Sequence, residues 1–183
     1  MSPKSSLYAI HAYELRRMEP ARTLEVFSTL SAPEFSEMDG EYDATFLDQG
    51  GPFLNTFNIA VLNSPLNGMW LGKAFTPSDK DTGHGYNMFW RLGRMERKYR
   101  MRTRITASRF DSKPVFQVEY AGFNTLWGWI RMHDEIRKMQ KGLYLGIGSW
   151  GPAGKILNPF MIQGPIGPFM NADKTELWPF SKM

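Results

Sequence analysis

A chain of 183 residues with 42% hydrophobic and 22% charged residues can bury about 70% of its unfolded surface in one globular unit. It contains no cysteine, which excludes disulfides, thiolate metal sites and a cysteine nucleophile and fits a reducing, cytoplasmic setting. The net charge of +4 is modest, but eight of the cations fall between Arg91 and Arg109. No window approaches the ~20 apolar residues that span a bilayer, so no integral membrane segment is expected.

Residues 1–18 begin polar and then carry Leu7, Tyr8, Ile10 and Tyr13, as a short helix or an extended lead-in. They have neither the apolar core nor the small-residue cleavage site of a signal peptide. A helix is expected next. Pro20 suits a first helical turn, Leu24, Phe27 and Leu30 form an apolar stripe with Val26 beside it, and Ser31-Ala32-Pro33 ends it because the residue before proline avoids helical backbone. Such a helix packs on a sheet as a lid or plug.

Asp39-Gly40 marks a turn. Strands are then expected at 41–47, 56–62, 69–76, 86–92, 98–110, 115–123, 127–138 and 143–150, separated by Gly, Pro, Asn and Asp clusters. That spacing of strands and turns indicates a mainly β fold, an antiparallel β-barrel of about eight strands. One domain over 1–183 is expected, with lead-in and helix over 1–38 and the barrel over 39–150.

The 98–121 hairpin is the most explicit stretch. Lys98, Arg100, Arg102 and Arg104 alternate with Tyr99, Met101, Thr103 and Ile105, the pattern of a strand with two unlike faces. A loop at 111–114 sets Ile105 opposite Tyr120 and Ala107 opposite Val118. Tyr99, Met101, Ile105, Phe116, Val118 and Tyr120 then share the core face, and Lys98, Arg100, Arg102, Arg104, Gln117 and Glu119 share the other, toward solvent or a wet cavity. Farther on, Gly146 and Gly148 lie on one face of their strand and leave room for an aromatic side chain or a ligand. From Gly151 to Met170, Gly and Pro recur among large apolar residues. Regular structure is not expected there, but an extended apolar C-terminal arm (151–183), packed on the barrel or on a second subunit as a homodimer contact, is.

Gly68-Met69-Trp70-Leu71-Gly72 reads GxWxG and continues into Lys73-Ala74-Phe75. Alternation puts Gly68, Trp70 and Gly72 on one face. The GxW pair resembles the strand signature of lipocalin-like (calycin) barrels. With the helix over 22–30, the Lys73–Phe75 stretch and the segment Asp134–Gly146, the chain also resembles bacterial GxWxG-domain proteins of unknown function that carry a C-terminal β domain. The resemblance implies a small barrel with a hydrophobic pocket and no reaction type.

His133-Asp134-Glu135 is the densest titratable cluster. His133 and Glu135 share a face with Arg131, and Asp134 takes the other; the set reads as a general acid–base site or as strand-end salt bridges. His84, between glycines, reads as a turn histidine or a ligand at a barrel mouth, and His11 has no evident partner. Three scattered histidines imply no metal site. No hydrolase elbow, phosphate loop or dinucleotide fingerprint occurs, and no cofactor is implied. The cation row reads as a solvated face, an anion site, or a stripe toward nucleic acid or anionic lipid; nucleic acid is not expected, because the aromatics face the core. The high methionine and aromatic content suits a pliable cavity.

The function these features predict is binding of a hydrophobic small molecule with an acidic head group. Trp70, Tyr120, Trp127, Trp129 and Tyr144 would line the cavity, and Arg102 or Arg104 would meet the acid. The alternative is a cofactor-independent isomerase, cyclase or dehydratase acting through His133, Asp134 and Glu135.

Overall fold

The computed structural model describes residues 12–65, 67–123, 125–151, 154 and 156–172. The expectations for Leu7, Tyr8, Ile10 and His11, and for the arm beyond Ala172, lie outside the described residues. Helices α1 (Ala12–Leu15) and α2 (Pro20–Thr29) are followed by a 3-10 turn at Phe35–Glu37 and strand β1 (Gly40–Phe46). Helix α3 (Pro52–Leu62) leads to β2 (Met69–Pro77), β3 (Thr82–Arg91), β4 (Arg94–Ala107) and β5 (Pro114–Glu119). Helix α4 (Leu126–Trp129) then precedes β6 (His133–Gln140), β7 (Leu143–Trp150) and β8 (Ile156–Gly167).

Each strand pairs antiparallel with the next, and β8 returns to β1, so the sheet closes into an eight-stranded barrel. Closure leaves no free edge. Met101, Phe116, Val118 and Tyr120 are buried in the interior cluster, with Ile105 packed against it, as the alternation of the hairpin predicts. Helix α2 packs outside the wall rather than in a mouth. Its Val26 and Phe27 join Val115, Leu145, Ile147 and Met161, the outward residues of β5, β7 and β8. The 3-10 turn plugs one end of the barrel, where Phe35 meets the Phe116 ring at 5.2 Å between centroids and Met38 is fully buried. The connections carrying α3 and α4, the β3–β4 hairpin and the β7–β8 loop gather at the other, open end.

Several local expectations are corrected. The expected strand 56–62 is helix α3. Pro52 fills its first turn, and its asparagines tie it to the preceding loop: Asn55 Nδ2 donates to Asp48 Oδ1 at 2.9 Å and Asn58 Nδ2 to Gln49 Oε1 at 3.4 Å. The segment 151–170, expected as an arm, instead supplies β8, with Phe160, Met161 and Ile162 buried in the chain's own wall. Its prolines do not stop it. Pro159 offers its carbonyl to the Leu47 amide at 3.1 Å, and Pro165 falls where the β1–β8 register shifts between Glu41 and Asp43, a position that spares proline a ladder bond. The expected strand 127–138 begins only at His133, after α4. The count of eight therefore stands with one strand exchanged for another.

The β4–β5 register differs by four residues: Ile105 faces Phe116 and Ala107 faces Pro114. The loop spans 108–113 because it is held from β6. Ser108 Oγ donates to Glu135 Oε2 at 2.5 Å, and Arg137 grips Asp111 through two 2.7 Å bonds. An even shift keeps every residue on its expected face. The cation row, however, is interrupted. A bulge between Gly85 and Asn87 in the β3–β4 pairing, with Tyr99 at φ 59°, sets Lys98 opposite Asn87 and brings its Nζ to 4.9 Å from the centre of the buried Phe89 ring.

Candidate functional site

The site begins with a bulge in β2. Trp70 pairs with Phe89 and Gly72 with Met88, so Leu71 is the extra residue. A bulge reverses which side chains point inward. Trp70 faces the interior, its ring 4.9 Å from Phe46 and 6.0 Å from Phe160, and so does Lys73, three residues later. The expectation that Gly68, Trp70 and Gly72 share one strand face is corrected. Gly68 precedes the strand at φ 84°, and a Cβ on Gly72 would strike the Tyr42 carbonyl at 1.9 Å.

Inside the barrel the Lys73 ammonium finds three acceptors. Nζ donates to Tyr120 Oη at 2.6 Å, Asp134 Oδ2 at 2.7 Å and Asn87 Oδ1 at 3.1 Å. Tyr120 Oη in turn donates to Asp134 Oδ2 at 2.9 Å, and Trp70 Nε1 to Asn87 Oδ1 at 3.2 Å. The rings of Trp70, Tyr120 and Phe160 lie 5.2 to 5.4 Å from the ammonium, within cation–π range. The Lys73 and Asp134 side chains are 4% and 0% exposed. Burial lowers the Lys73 pKa, and the Asp134 carboxylate opposes that shift. Burial and Asp134 raise the Tyr120 phenol well above its ordinary value, so it serves as a neutral donor. Three donors matched by three acceptors describe a lysine that is charged and ion-paired.

One polar atom in this network is left over: Asp134 Oδ1 is buried without a hydrogen-bond partner. It sits above Gly148, where a Cβ would come within 3.0 Å of it. A hollow of ≈ 30 Å³ adjoins it, bounded by Trp70, Lys73, Asn87, Tyr120, Trp127 and Asp134 among others. Phe46, Leu62, Trp127, Met132 and Asn158 line both this hollow and a second, apolar chamber of ≈ 220 Å³ beneath α3. Outside the chamber, and sharing Ile130 and Trp150 with it, runs an open groove of ≈ 850 Å³ with Arg109, Arg131, His133 and Trp129 on its walls. The open end thus narrows from a cationic groove through an apolar chamber to a buried ion pair.

The residues singled out in the sequence fall into separate places. Trp70, Tyr120, Trp127 and Asp134 meet at the hollow. His133 and Glu135 lie on the outer face. His133 lines the groove, and burial with the nearby Arg109 charge lowers its pKa. Glu135 is fully buried there, accepting from Ser108 Oγ and, at 2.9 Å, from the Arg109 amide. Trp129 is 72% exposed and stands in the groove rather than the cavity. Tyr144 is buried against Tyr42 and borders neither chamber nor hollow. Arg102 and Arg104 are exposed outside the barrel, Arg102 over the Phe123 ring and Arg104 bonded to Gln117 at 2.8 Å. Of the two glycines, Gly146 gives its space to the Phe160 ring, 2.2 Å from a notional Cβ. His84 sits near Ser78 Oγ at 3.0 Å, close to Phe169. Among the described residues no group of three or more His, Asp or Glu side chains could hold a metal ion, and no helix is long and apolar enough to cross a membrane.

Lys73 and Asn87 are the functional candidates that sequence reasoning missed. The available signal was a lysine between Gly72 and the apolar pair Ala74-Phe75.

Fold and cavity define the class: a closed eight-stranded antiparallel β-barrel of a kind that can hold a small molecule. No protein-family profile and no curated protein matches the chain. Among solved structures it is similar to a protein from Thermomonospora curvata, with a TM-score of 0.57 and 15% identity over 80% of this chain and 88% of that one. At that identity the likeness is one of fold alone.

Proposed function

We propose that the barrel binds a hydrophobic small molecule, its apolar body in the chamber beneath α3 and its polar head against Lys73 and Asp134. One observation carries this reading: an apolar chamber of ≈ 220 Å³ shares Phe46, Leu62, Trp127, Met132 and Asn158 with the small hollow bordered by Asp134, whose Oδ1 is buried and unpartnered. Buried polar atoms are ordinarily bonded, so the head that fits here donates to Oδ1 and accepts from Lys73. A hydroxyl does both. A protonated acidic head group also does so, donating through its hydroxyl and accepting through its carbonyl oxygen. This moves the head-group contact from Arg102 and Arg104 to Lys73 and Asp134. The calycin-like assignment then rests on barrel and cavity rather than on the Gly68–Gly72 motif, and a cytoplasmic location rests on the absence of cysteine.

The test is native mass spectrometry of purified protein, followed by titration with decanol and decanoic acid read by Trp127 and Trp70 fluorescence. A co-purified apolar ligand, or saturable quenching that Asp134→Leu weakens, is expected. No ligand and no quenching with either probe would remove the reading.

A second reading, a cofactor-independent isomerase, cyclase or dehydratase, is favoured by the linkage of Lys73, Tyr120 and Asp134 in a site closed to bulk water. There Asp134 and Tyr120 would move the proton, and Lys73 would hold the developing negative charge. The His133–Glu135 pair would act only on a molecule lying in the outer groove.

A further inference from the structure

Eleven large apolar side chains are exposed among the described residues, and nine of them belong to the open end of the barrel. Five lie on α3, which is amphipathic in the wrong sense for a protein surface. It buries Asn58 and leaves Phe53, Leu54, Phe57, Ile59 and Val61 exposed, Phe53 79%, with Leu62 alone of its large apolar residues packed against the interior cluster. A helix packed on a core does the reverse. Leu92, at the tip of the β3–β4 hairpin, is 84% exposed, and Trp90 and Trp129 stand on the same rim. Monomeric proteins rarely leave so much apolar surface together without a partner.

The charges around this rim indicate the partner. Arg91, Arg94 and Arg131 border it, all at least partly exposed. Glu96, the acid among them, is buried and outnumbered by Arg91 at 3.0 Å, Lys98 at 3.1 Å and Arg94 at 3.4 Å. Asp48 stays an anion, held by Asn55 and the Gly50 and Gly51 amides, so the cations of the rim outnumber its acids. We propose that the open end docks on an anionic lipid bilayer. Helix α3 lies in the interface with Phe53 and Phe57 among the acyl chains, Leu92 inserts beside it, and the arginines meet lipid phosphates. Tryptophans at the rim match the headgroup level. A second copy of the chain fits less well, because two-fold pairing would set the arginine rim against itself. The proposal stands whether or not the chamber holds a ligand.

Flotation of the full-length protein with vesicles of phosphatidylcholine, alone and mixed with phosphatidylglycerol, tests it. Wild type is expected to float with the mixed vesicles and not with phosphatidylcholine alone, with a blue shift of tryptophan emission. The exposed-residue variant Phe53→Ser/Phe57→Ser/Leu92→Ser should lose partitioning by about tenfold or more, with an unchanged thermal melt. Arg94→Gln/Arg131→Gln should abolish the preference for phosphatidylglycerol. The proposal falls if wild type stays unbound to both vesicles or if the serine variant floats like wild type. It also falls if light scattering shows a wild-type dimer that the serine variant dissolves.

Discussion

Lys73 shows how one charge is accommodated in an apolar barrel. Moving an ammonium and a carboxylate out of water costs several kcal/mol per ion, and attraction between them offsets this only with good geometry and further hydrogen bonds. Here Asp134 Oδ2 accepts from both Lys73 and Tyr120, and Asn87 takes the third ammonium proton. Removing one partner should therefore be worse than removing both. Lys73→Met is expected to destabilise the protein by about 3–5 kcal/mol, since it leaves a buried carboxylate without its counter-ion. The double variant Lys73→Met/Asp134→Leu should recover most of that loss. Urea unfolding of wild type, both single variants and the double variant gives the coupling directly. A double variant as unstable as the sum of the singles would show that the two charges do not depend on each other.

Two bulges set the elements around this pair, and their effect explains how much was legible in the sequence. Period-2 alternation assigned the faces of β5 and of β4 from Arg100 onward correctly, and a register error of four residues left those faces unchanged. It also drew attention to Trp70, Tyr120, Trp127 and Asp134, which meet at the hollow. Strict alternation from Trp70 puts Lys73 outside, however, and only the extra residue at Leu71 turns it in. The bulge at Tyr99 likewise detaches Lys98 from the cation row. A bulge is a property of two paired strands, so one strand's pattern does not announce it. Helix α3 was missed because it buries Asn58 and exposes most of its large apolar side chains, and β8 because its prolines fall at tolerated positions. Between β7 and β8 the pairing has little slack: Gly146 faces Phe160, and a methyl there would lie 2.2 Å from the ring. Gly146→Ala should cost about 1–3 kcal/mol through overpacking. Phe160→Leu in the same chain should return part of it. Thermal melts of the three variants decide this, and an additive result would mean that the ring moves aside freely.

The molecule as a whole is held together outside its wall by ion pairs whose loss in acid can be forecast. Arg137, fully buried, binds Asp111 through two 2.7 Å bonds, donates to the Phe27 carbonyl at 3.0 Å and stacks 4.6 Å over the Phe27 ring. It thereby fastens the 108–113 loop and α2 to β6. At the open end Glu96 gathers Arg91, Arg94 and Lys98. The Arg137 guanidinium lowers the Asp111 pKa from 3.8 to about 2, and Arg91 with Lys98 lowers that of Glu96 from 4.5 to about 2. Both carboxyls bind protons more readily in the unfolded chain than in the folded one. Their stabilisation is therefore complete above the ordinary carboxylate range and declines as pH falls from about 5 toward 2. For Asp111, whose side chain is 16% exposed, that linkage is on the order of 2 kcal/mol. Asp111→Asn should lose about that much at pH 7 and differ far less from wild type near pH 2, because acid has by then neutralised the native carboxylate. Urea midpoints of the two proteins across this range measure the gap. A gap that stays constant with pH would assign the cost to the shape of the side chain rather than to its charge, and the acid lability of the barrel would then have to come from other carboxylates.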